Sequence, residues 1–269
     1  MFYSAKNGSI PIAGTEMDYV SFGRGTEPLV ILPGLSDGLH TVKGTAAAKA
    51  LSNRAFAREY RVYILSRRNA LPEGFTTRDM AGDAAYAMRQ LGIARANVLG
   101  ISQGGMISQY LAIDHPELVK KLVLAVSLCR PNDTVRTTIP RRIVWAKAGD
   151  YRSIVLDTIQ TSISPALLKL CRLAFPFLGR TGAPKSFDRF LIHANACVTH
   201  DASAELSRIA CPTLVIGGDS DRNVGPGTSE ELAERIPGST LHIYPGLGHA
   251  AFLEAKDFKT QVLRFLKDI

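Results

Sequence analysis

Cysteine is scarce in this chain. Four stand in 269 residues, Cys129, Cys171, Cys197 and Cys211, with no Cys-x-x-Cys pair and no histidine cluster nearby. That spacing excludes the common zinc and disulfide frameworks, so the four are expected as reduced, mostly buried thiols, with no metal site. Long apolar runs are missing too. The best candidate, Leu118 to Cys129, is broken by Lys120 and Lys121, whereas a bilayer-crossing helix needs about 20 apolar residues in a row. The opening residues, Met-Phe-Tyr-Ser-Ala-Lys-Asn-Gly, lack a basic stretch followed by an apolar core. No signal peptide is expected, and with reduced thiols the expected location is cytoplasmic. No internal repeat or low-complexity tract occurs.

Positive charge is in excess, with a formal net charge of +8, yet no long basic tract carries it. It is scattered in pairs, Arg67-Arg68, Lys120-Lys121 and Arg141-Arg142, without interleaved aromatics. Such a pattern reads as a solvated basic surface and excludes nucleic acid as the expected partner. A preference for anionic small molecules stays open. Apolar content of 46% and charged content of 21% are those of an ordinary globular chain.

What is present is an alternation of strand-like and helix-like segments. Met17 to Phe22 alternates as an outer strand of an N-terminal meander. Leu29–Leu32 and Val62–Leu65 are short continuous apolar runs, the mark of strands buried on both faces. Thr77 to Leu91 has helical spacing, with Gly92 where a helix stop is expected. Further strands are expected at Asn97–Leu99, Leu122–Val126, Thr213–Ile216 and Leu241–Tyr244, with helices over Ser229–Arg235 and Phe252–Leu266. Repeated strand–helix units imply an α/β fold with a mainly parallel sheet covered on both faces. The alternation stops between Arg130 and Ser207. That stretch has helical patterns at Ile154–Ile163 and Ala166–Leu173, breakers that include Pro140, and a dense apolar set: Trp145, Leu156, Ile159, Leu167, Leu168, Phe175, Phe177 and Phe190. Open parallel sheets bind ligands at the C-terminal ends of their strands, so residues 130–207 are expected to lie over the site as a helical cap. Residues 1–129 and 208–269 then form the core. Most of the aromatic set is expected to be the cap's own core and a minority to face a ligand.

One motif organises the rest. Gly100-Ile-Ser102-Gln-Gly104 follows the strand Asn97–Leu99 and opens the helical pattern Met106–Ala112. A serine at so sharp a turn is held in a strained backbone, at a cost on the order of 1–3 kcal/mol. Its hydroxyl stands out of the fold beside a helix N-terminus that favours negative charge. Gly100 and Gly104 avoid a Cβ collision in the turn, and Gly105 lets the helix lie close to the strands.

A nucleophilic serine needs a base. Of six histidines, His249 follows the last strand in Pro245-Gly-Leu-Gly-His249, at the sheet edge shared by Ser102. His200 is its main competitor, and His40 and His193 could also approach the cleft; His242 reads as packed and His115 as surface. The base needs a carboxylate to fix its tautomer. Asp219 and Asp221 both follow strand Thr213–Ile216; Asp221 lies further along the loop and is the choice, with Asp219 a turn residue. Two backbone donors are needed for an oxyanion. Gln103 N–H, at the helix start, is one; Leu35 N–H, in the loop Leu32-Pro33-Gly34-Leu35-Ser36, is expected as the other, turned into the cleft by an unusual backbone at Gly34.

The elbow around Ser102, Asp221 in Gly-Gly-Asp-Ser-Asp-Arg and His249 in Gly-Leu-Gly-His resemble the α/β-hydrolase superfamily in its chain order Ser…Asp…His. The resemblance extends to Asp114-His-Pro-Glu-Leu-Val-Lys-Lys-Leu-Val-Leu and Cys211-Pro-Thr-Leu-Val-Ile, and so to nearly the whole chain. It implies a mainly parallel eight-stranded sheet flanked by helices, a cap after the sixth strand, and no metal or organic cofactor. It strengthens Asp221 and His249. One departure is visible: many members have His-Gly where this chain has Pro33-Gly34, so hydrogen bonds from that histidine are missing. The implied activity is a serine hydrolase cleaving a carboxylic ester of a small to medium apolar molecule. Carbon–carbon hydrolysis or cofactor-free perhydrolysis of the haloperoxidase type is the enzymatic alternative, and a ligand-binding receptor with vestigial activity the alternative of another class. The expected partner is a small-molecule substrate; a homo-oligomer is compatible with the chain.

Overall fold

The computed structural model describes residues 3–267 apart from Arg172 and Ala174. Arg172, inside the expected helix Ala166–Leu173, lies outside the described residues, as do the outermost two residues at each end of the expected core. Eight strands form one sheet: β1 (Lys6–Ile12), β2 (Thr15–Phe22), β3 (Pro28–Leu32), β4 (Arg61–Arg68), β5 (Ala96–Ile101), β6 (Val119–Ala125), β7 (Thr213–Gly218) and β8 (Thr240–Tyr244). Their spatial order is β1-β2-β4-β3-β5-β6-β7-β8. β2 is antiparallel to both β1 and β4, and every pairing from β4 through β8 is parallel. The C-terminal ends of β3, β5, β6, β7 and β8 therefore share one edge. β1, which the sequence pattern leaves undelimited, carries Gly8 and Pro11, both weak strand residues tolerated at an edge. Tyr19 of the partner strand fills the gap over Gly8, where a Cβ would lie 2.4 Å from its ring.

The helices are α1 (Ala46–Ser52), α2 (Arg54–Glu59), α3 (Thr77–Gln90), α4 (Gln103–Asp114), α5 (Asp133–Lys147), α6 (Tyr151–Ser162), α7 (Pro165–Cys171), α8 (Asp188–Thr199), α9 (Thr228–Arg235), α10 (Ala251–Glu254) and α11 (Phe258–Lys267). Strand side chains alternate between two layers. Leu29, Ile31, Val62 and Ile216 join Ala50, Phe56, Phe258 and Val262 from α1, α2 and α11. Val30, Leu32, Val98 and Leu124 join Met80, Ala84, Leu111 and Leu232 from α3, α4 and α9. α3 begins at a capping box, Asp79 N donating to Thr76 Oγ1 at 3.1 Å and Thr76 N to Asp79 Oδ2 at 2.8 Å, and ends before Gly92 at φ 69°.

Four helices, α5 to α8, lie between β6 and β7. Val135, Ile139, Ala146, Ile154, Phe190 and Cys197 bury one another there, together with Met106, Leu128 and Val224 from around the sheet edge. Two expectations change. α5 runs through Pro140 instead of breaking. The ring removes one backbone donor, but the buried face Val135, Ile139 and Ala146 keeps the helix on course. The helix expected over Phe252–Leu266 is instead two, α10 and α11, parted at Ala255.

One member of each basic pair is not part of the solvated surface expected of it. Arg67, Lys121 and Arg142 are each 5% exposed or less. In β4 and β6, neighbouring residues point to opposite faces, so one member of each strand pair must turn inward. Lys121 Nζ donates to the carbonyls of Phe265 and Leu266 at 2.9 and 3.1 Å. No helix among the described residues is long and apolar enough to cross a membrane.

Candidate active site

Ser102 joins β5 directly to α4 with φ 55° and ψ −119°, a conformation that side chains rarely adopt. Neighbouring strands hold it there: its amide donates to the Ala125 carbonyl at 2.8 Å, and Ser127 Oγ donates to its carbonyl at 2.9 Å. The glycines around it are needed for close approach. A Cβ on Gly100 would lie 2.4 Å from Ser108 Oγ, one on Gly104 1.9 Å from the Leu32 carbonyl oxygen, and one on Gly105 2.6 Å from Ser127. The helix starts at Gln103, three residues before the expected Met106, because the elbow itself supplies its first turn.

The loops after β7 and β8 bring the next two side chains in. The loops are laced together by Ser220 N donating to the Leu247 carbonyl at 3.0 Å and by Asp219 Oδ1, which accepts from Gly246 N at 2.7 Å. Asp219 thus serves the turn. Asp221, 3% exposed, accepts from the amides of Asn223 and Val224 at 2.8 and 3.0 Å through Oδ1. Its Oδ2 lies 2.7 Å from His249 Nδ1, and His249 Nε2 lies 2.9 Å from Ser102 Oγ. With Nδ1–H donating to the carboxylate, Nε2 is left to accept from the serine hydroxyl. The structure thus brings Ser102, His249 and Asp221 into one hydrogen-bonded chain.

Leu35 opens a short 3-10 turn, Leu35–Gly38, beside the elbow. Gly34 has φ −74° and ψ −168°, extended backbone open to any residue. The expected unusual backbone is therefore absent. Gly34 matters for proximity instead: a Cβ there would sit 3.3 Å from Ser102 Cβ and 3.7 Å from its Oγ.

Behind this loop lies a charged cluster that the sequence pattern did not disclose. Asp37, 2% exposed, accepts from Ser66 Oγ at 2.6 Å, Arg67 N at 3.0 Å and Arg189 Nη2 at 2.5 Å. Burial alone would raise its pKa, but the Arg189 and Arg67 guanidinium groups outweigh that and hold the carboxyl below its usual range. Arg67 Nη2 donates to the Pro33 carbonyl at 2.5 Å and to Gln103 Oε1 at 3.3 Å. Gln103 Nε2 donates in turn to the His193 carbonyl at 2.7 Å, and His193 Nδ1 donates to Gln103 Oε1 at 3.1 Å. Arg67 thereby ties the loop of Leu35 to the elbow, at the place where His-Gly is replaced by Pro33-Gly34. An acid two residues past Leu35 and an arginine next to last in β4, the strand beside β3, were the available signal.

A cavity of about 440 Å³ opens above Ser102. Gly34, Leu35, Ile101, Met106 and His249 line its base, and α5, α6 and α8 supply Val135, Ile139, Ile154, Ile159 and Phe190. Of the expected aromatic and aliphatic set, Ile159 and Phe190 face the cavity.

The family model of the alpha/beta hydrolase fold matches residues 27–256. The chain belongs to the alpha/beta hydrolase family. A Klebsiella pneumoniae relative bearing the name carbamate hydrolase RutD is 31% identical over 72% of this chain and 74% of its own. A Neisseria meningitidis pimeloyl-[acyl-carrier protein] methyl ester esterase is 30% identical over 60% of this chain and 64% of its own. Among solved structures, the alpha/beta hydrolase MGS-M2 from a Medee basin deep-sea metagenome library superposes with a TM-score of 0.83 at 22% identity, covering 97% of both chains. The enol-lactonase of Burkholderia xenovorans LB400 superposes at 0.80 and 22% identity, over 97% of this chain and 100% of its own.

In this hydrolase none of the remaining described histidines is hydrogen-bonded to Ser102. His200 is 2% exposed, pairs with Thr77 Oγ1 at 2.9 Å and stands edge-on to Tyr110; burial lowers its pKa to about 4. His193 lies behind Gln103, and burial, reinforced by Arg67, holds it neutral. His40 does line the cavity, with Nε2 against the Gly182 carbonyl at 2.7 Å. His242 stands edge-on to Tyr244, and His115 is half-buried near Glu117. Cys197 lines the cavity, but burial pushes its thiol up to about 12, so it stays protonated. All four cysteines are free.

Proposed function

We propose that the protein is a serine hydrolase of carboxylic esters, with Ser102 as nucleophile, His249 as general base and acid, and Asp221 as the carboxylate that orients the imidazole. The observation that carries this reading is the 2.9 Å and 2.7 Å chain from Ser102 through His249 to Asp221, built on a serine with positive φ at the base of an apolar cavity. Ser102 Oγ attacks the acyl carbon while His249 Nε2 takes its proton. The negative charge that develops on the acyl oxygen is met by the N–H groups of Leu35 and Gln103, each worth about 2.7–4 kcal/mol to the transition state. Asp221 stabilises the imidazolium, which then protonates the departing alkoxide. Water, deprotonated by His249, cleaves the acyl-enzyme and restores the serine.

Residues 130–207 serve in this reading as the cap over a core of residues 1–129 and 208–269. The cap side chains of the cavity wall are largely apolar, which suits a small to medium acyl or alcohol portion. Relatives named as a methyl ester esterase and a carbamate hydrolase agree with acyl chemistry at this centre. A panel of chromogenic esters, thioesters, amides and lactones, run on the wild type and Ser102→Ala, tests the proposal. Ester turnover in the wild type with less than about 1% remaining in folded Ser102→Ala is expected; more than that removes Ser102 from the chemistry.

A further inference from the structure

Arg142 is out of place in an apolar pocket. It sits on α5, is 5% exposed, and is part of the wall of the same cavity that Ser102 opens into. Among the described residues it is the one fully ionic side chain on that wall, and no carboxylate lines the cavity. A buried guanidinium is costly unless its charge and its donors are matched. Its charge is matched incompletely. Asp157 accepts Arg142 Nε at 2.7 Å, but the other Asp157 oxygen is taken by Arg141, so one carboxylate serves two guanidinium groups.

The donors show where the deficit lies. A guanidinium offers five N–H groups. Nε uses one on Asp157, and Nη2 uses two, on Thr161 Oγ1 at 2.8 Å and Asn223 Oδ1 at 2.6 Å. No described residue accepts from Nη1. Three hydrogen bonds therefore fix the plane of the group and leave one nitrogen with two donors. On the same wall Ser162 Oγ accepts from Asn223 Nδ2 at 2.7 Å, which leaves its own hydrogen to donate. Thr158 lies one helical turn before Ser162 on α6 and also lines the cavity.

We infer that Arg142 anchors a free carboxylate on the substrate, so that the preferred ester carries an anionic group separated from its scissile carbonyl by an apolar spacer. The spacer runs along Val135, Ile139 and Ile154, and the carboxylate supplies the second anion that the Arg141–Asp157–Arg142 cluster lacks. This inference rests on the ester-hydrolase reading of Ser102. Its competitor is a purely structural Arg142 that ties α5 to α6 and to the Asn223 loop.

The test compares two series of p-nitrophenyl esters matched in length. One is the mono-esters of adipic, pimelic and suberic acid, with a free terminal carboxylate; the other has that terminus as the neutral amide. For at least one length the wild type is expected to favour the acid by about tenfold or more in kcat/KM. Arg142→Gln should collapse that ratio towards one, Arg142→Lys should keep part of it, and Arg136→Gln, exposed on α5 and off the cavity wall, should keep the wild-type ratio. The ratio cancels any general damage to the catalytic centre. A wild-type ratio at or below one at every length overturns the inference without any variant, as does a ratio that survives in Arg142→Gln. If no ester of either series is hydrolysed, the Ser102 reading fails by itself. Calorimetric binding of the hydrolysis-resistant N-benzyl amides, acid against neutral, then decides Arg142: acid-selective binding lost in Arg142→Gln supports the anchor, and unselective binding or none overturns it.

Discussion

Arg67 never touches the cavity, yet replacing it with methionine should damage the chemistry. The change removes the donor that holds the Pro33 carbonyl at 2.5 Å and Gln103 Oε1 at 3.3 Å, one on each segment that carries a proposed oxyanion amide. Gln103 Oε1 keeps His193 Nδ1 at 3.1 Å, and Asp37 keeps Arg189, Ser66 and the residue 67 amide. What is orphaned is chiefly the Pro33 carbonyl, and a buried acceptor left unpaired costs about 1–3 kcal/mol. That is below the roughly 3–5 kcal/mol of a buried charge stripped of its only partner, so the variant should fold. Deleting one oxyanion donor costs about 10²–10³ in kcat. Here the Leu35 amide is loosened and not removed, so a fall of about 10–100-fold in kcat is expected. KM should stay within about threefold, because Arg67 is not part of the cavity wall. Urea unfolding followed by circular dichroism gives the stability change, and steady-state hydrolysis of a p-nitrophenyl ester gives the split. A folded variant with unchanged kcat, or one whose loss falls wholly in KM, would refute the bracing role.

The two acids of the loop after β7 should separate cleanly. Asp221→Asn should lower kcat by about 10³–10⁴-fold through loss of the imidazole's orientation, whereas Asp219→Asn, which disturbs a turn, should cost less than about tenfold; the reverse order in steady-state kinetics would show that the wrong carboxylate was chosen. Gly104→Ala would place a Cβ 1.9 Å from the Leu32 carbonyl oxygen, a backbone clash at or above the upper end of the roughly 1–3 kcal/mol of overpacking, and thermal melting should show it. Acid should destabilise the fold through His200, whose pKa falls from 6.5 to about 4 on burial. Below pH 6.5 the unfolded chain takes up a proton that the folded chain refuses, so stability is full above that pH and is lost as pH falls towards 4, by about 2 kcal/mol between pH 7 and 5. Chemical unfolding of the wild type and His200→Gln at those two pH values checks this: the variant should lose distinctly less stability on acidification, and an equal loss would place the sensitivity elsewhere.

How much of this was legible in the sequence depends on how local each signal was. The elbow needs only a strand, three small residues and a helix in succession, and β5, Ser102 and α4 follow that pattern to within three residues. His249 and Asp221 were reachable because each stands in a loop just past an apolar strand, and parallel pairing puts those loops at one edge. The missed features depend on what lies across the chain. Arg67 and Arg68 look alike in sequence, but alternation in β4 sends one side chain to buried Asp37 and the other to Asp83 on α3. α5 was hidden because a proline normally ends a helix, and only the buried face opposite Pro140 overrides it. The glycine at position 34 was correctly placed beside the site but for the wrong reason, since proximity to Ser102 is invisible until β3 and β5 are paired.

Everything proposed for the site depends on Ser102 as the activated nucleophile. Its most direct measurement is the intact mass of the protein after exposure to a fluorophosphonate, followed by mapping of the modified peptide. A single adduct on Ser102 is expected, absent from Ser102→Ala and strongly slowed in His249→Ala. A folded wild type that takes up no adduct, or one modified at another side chain, would contradict it.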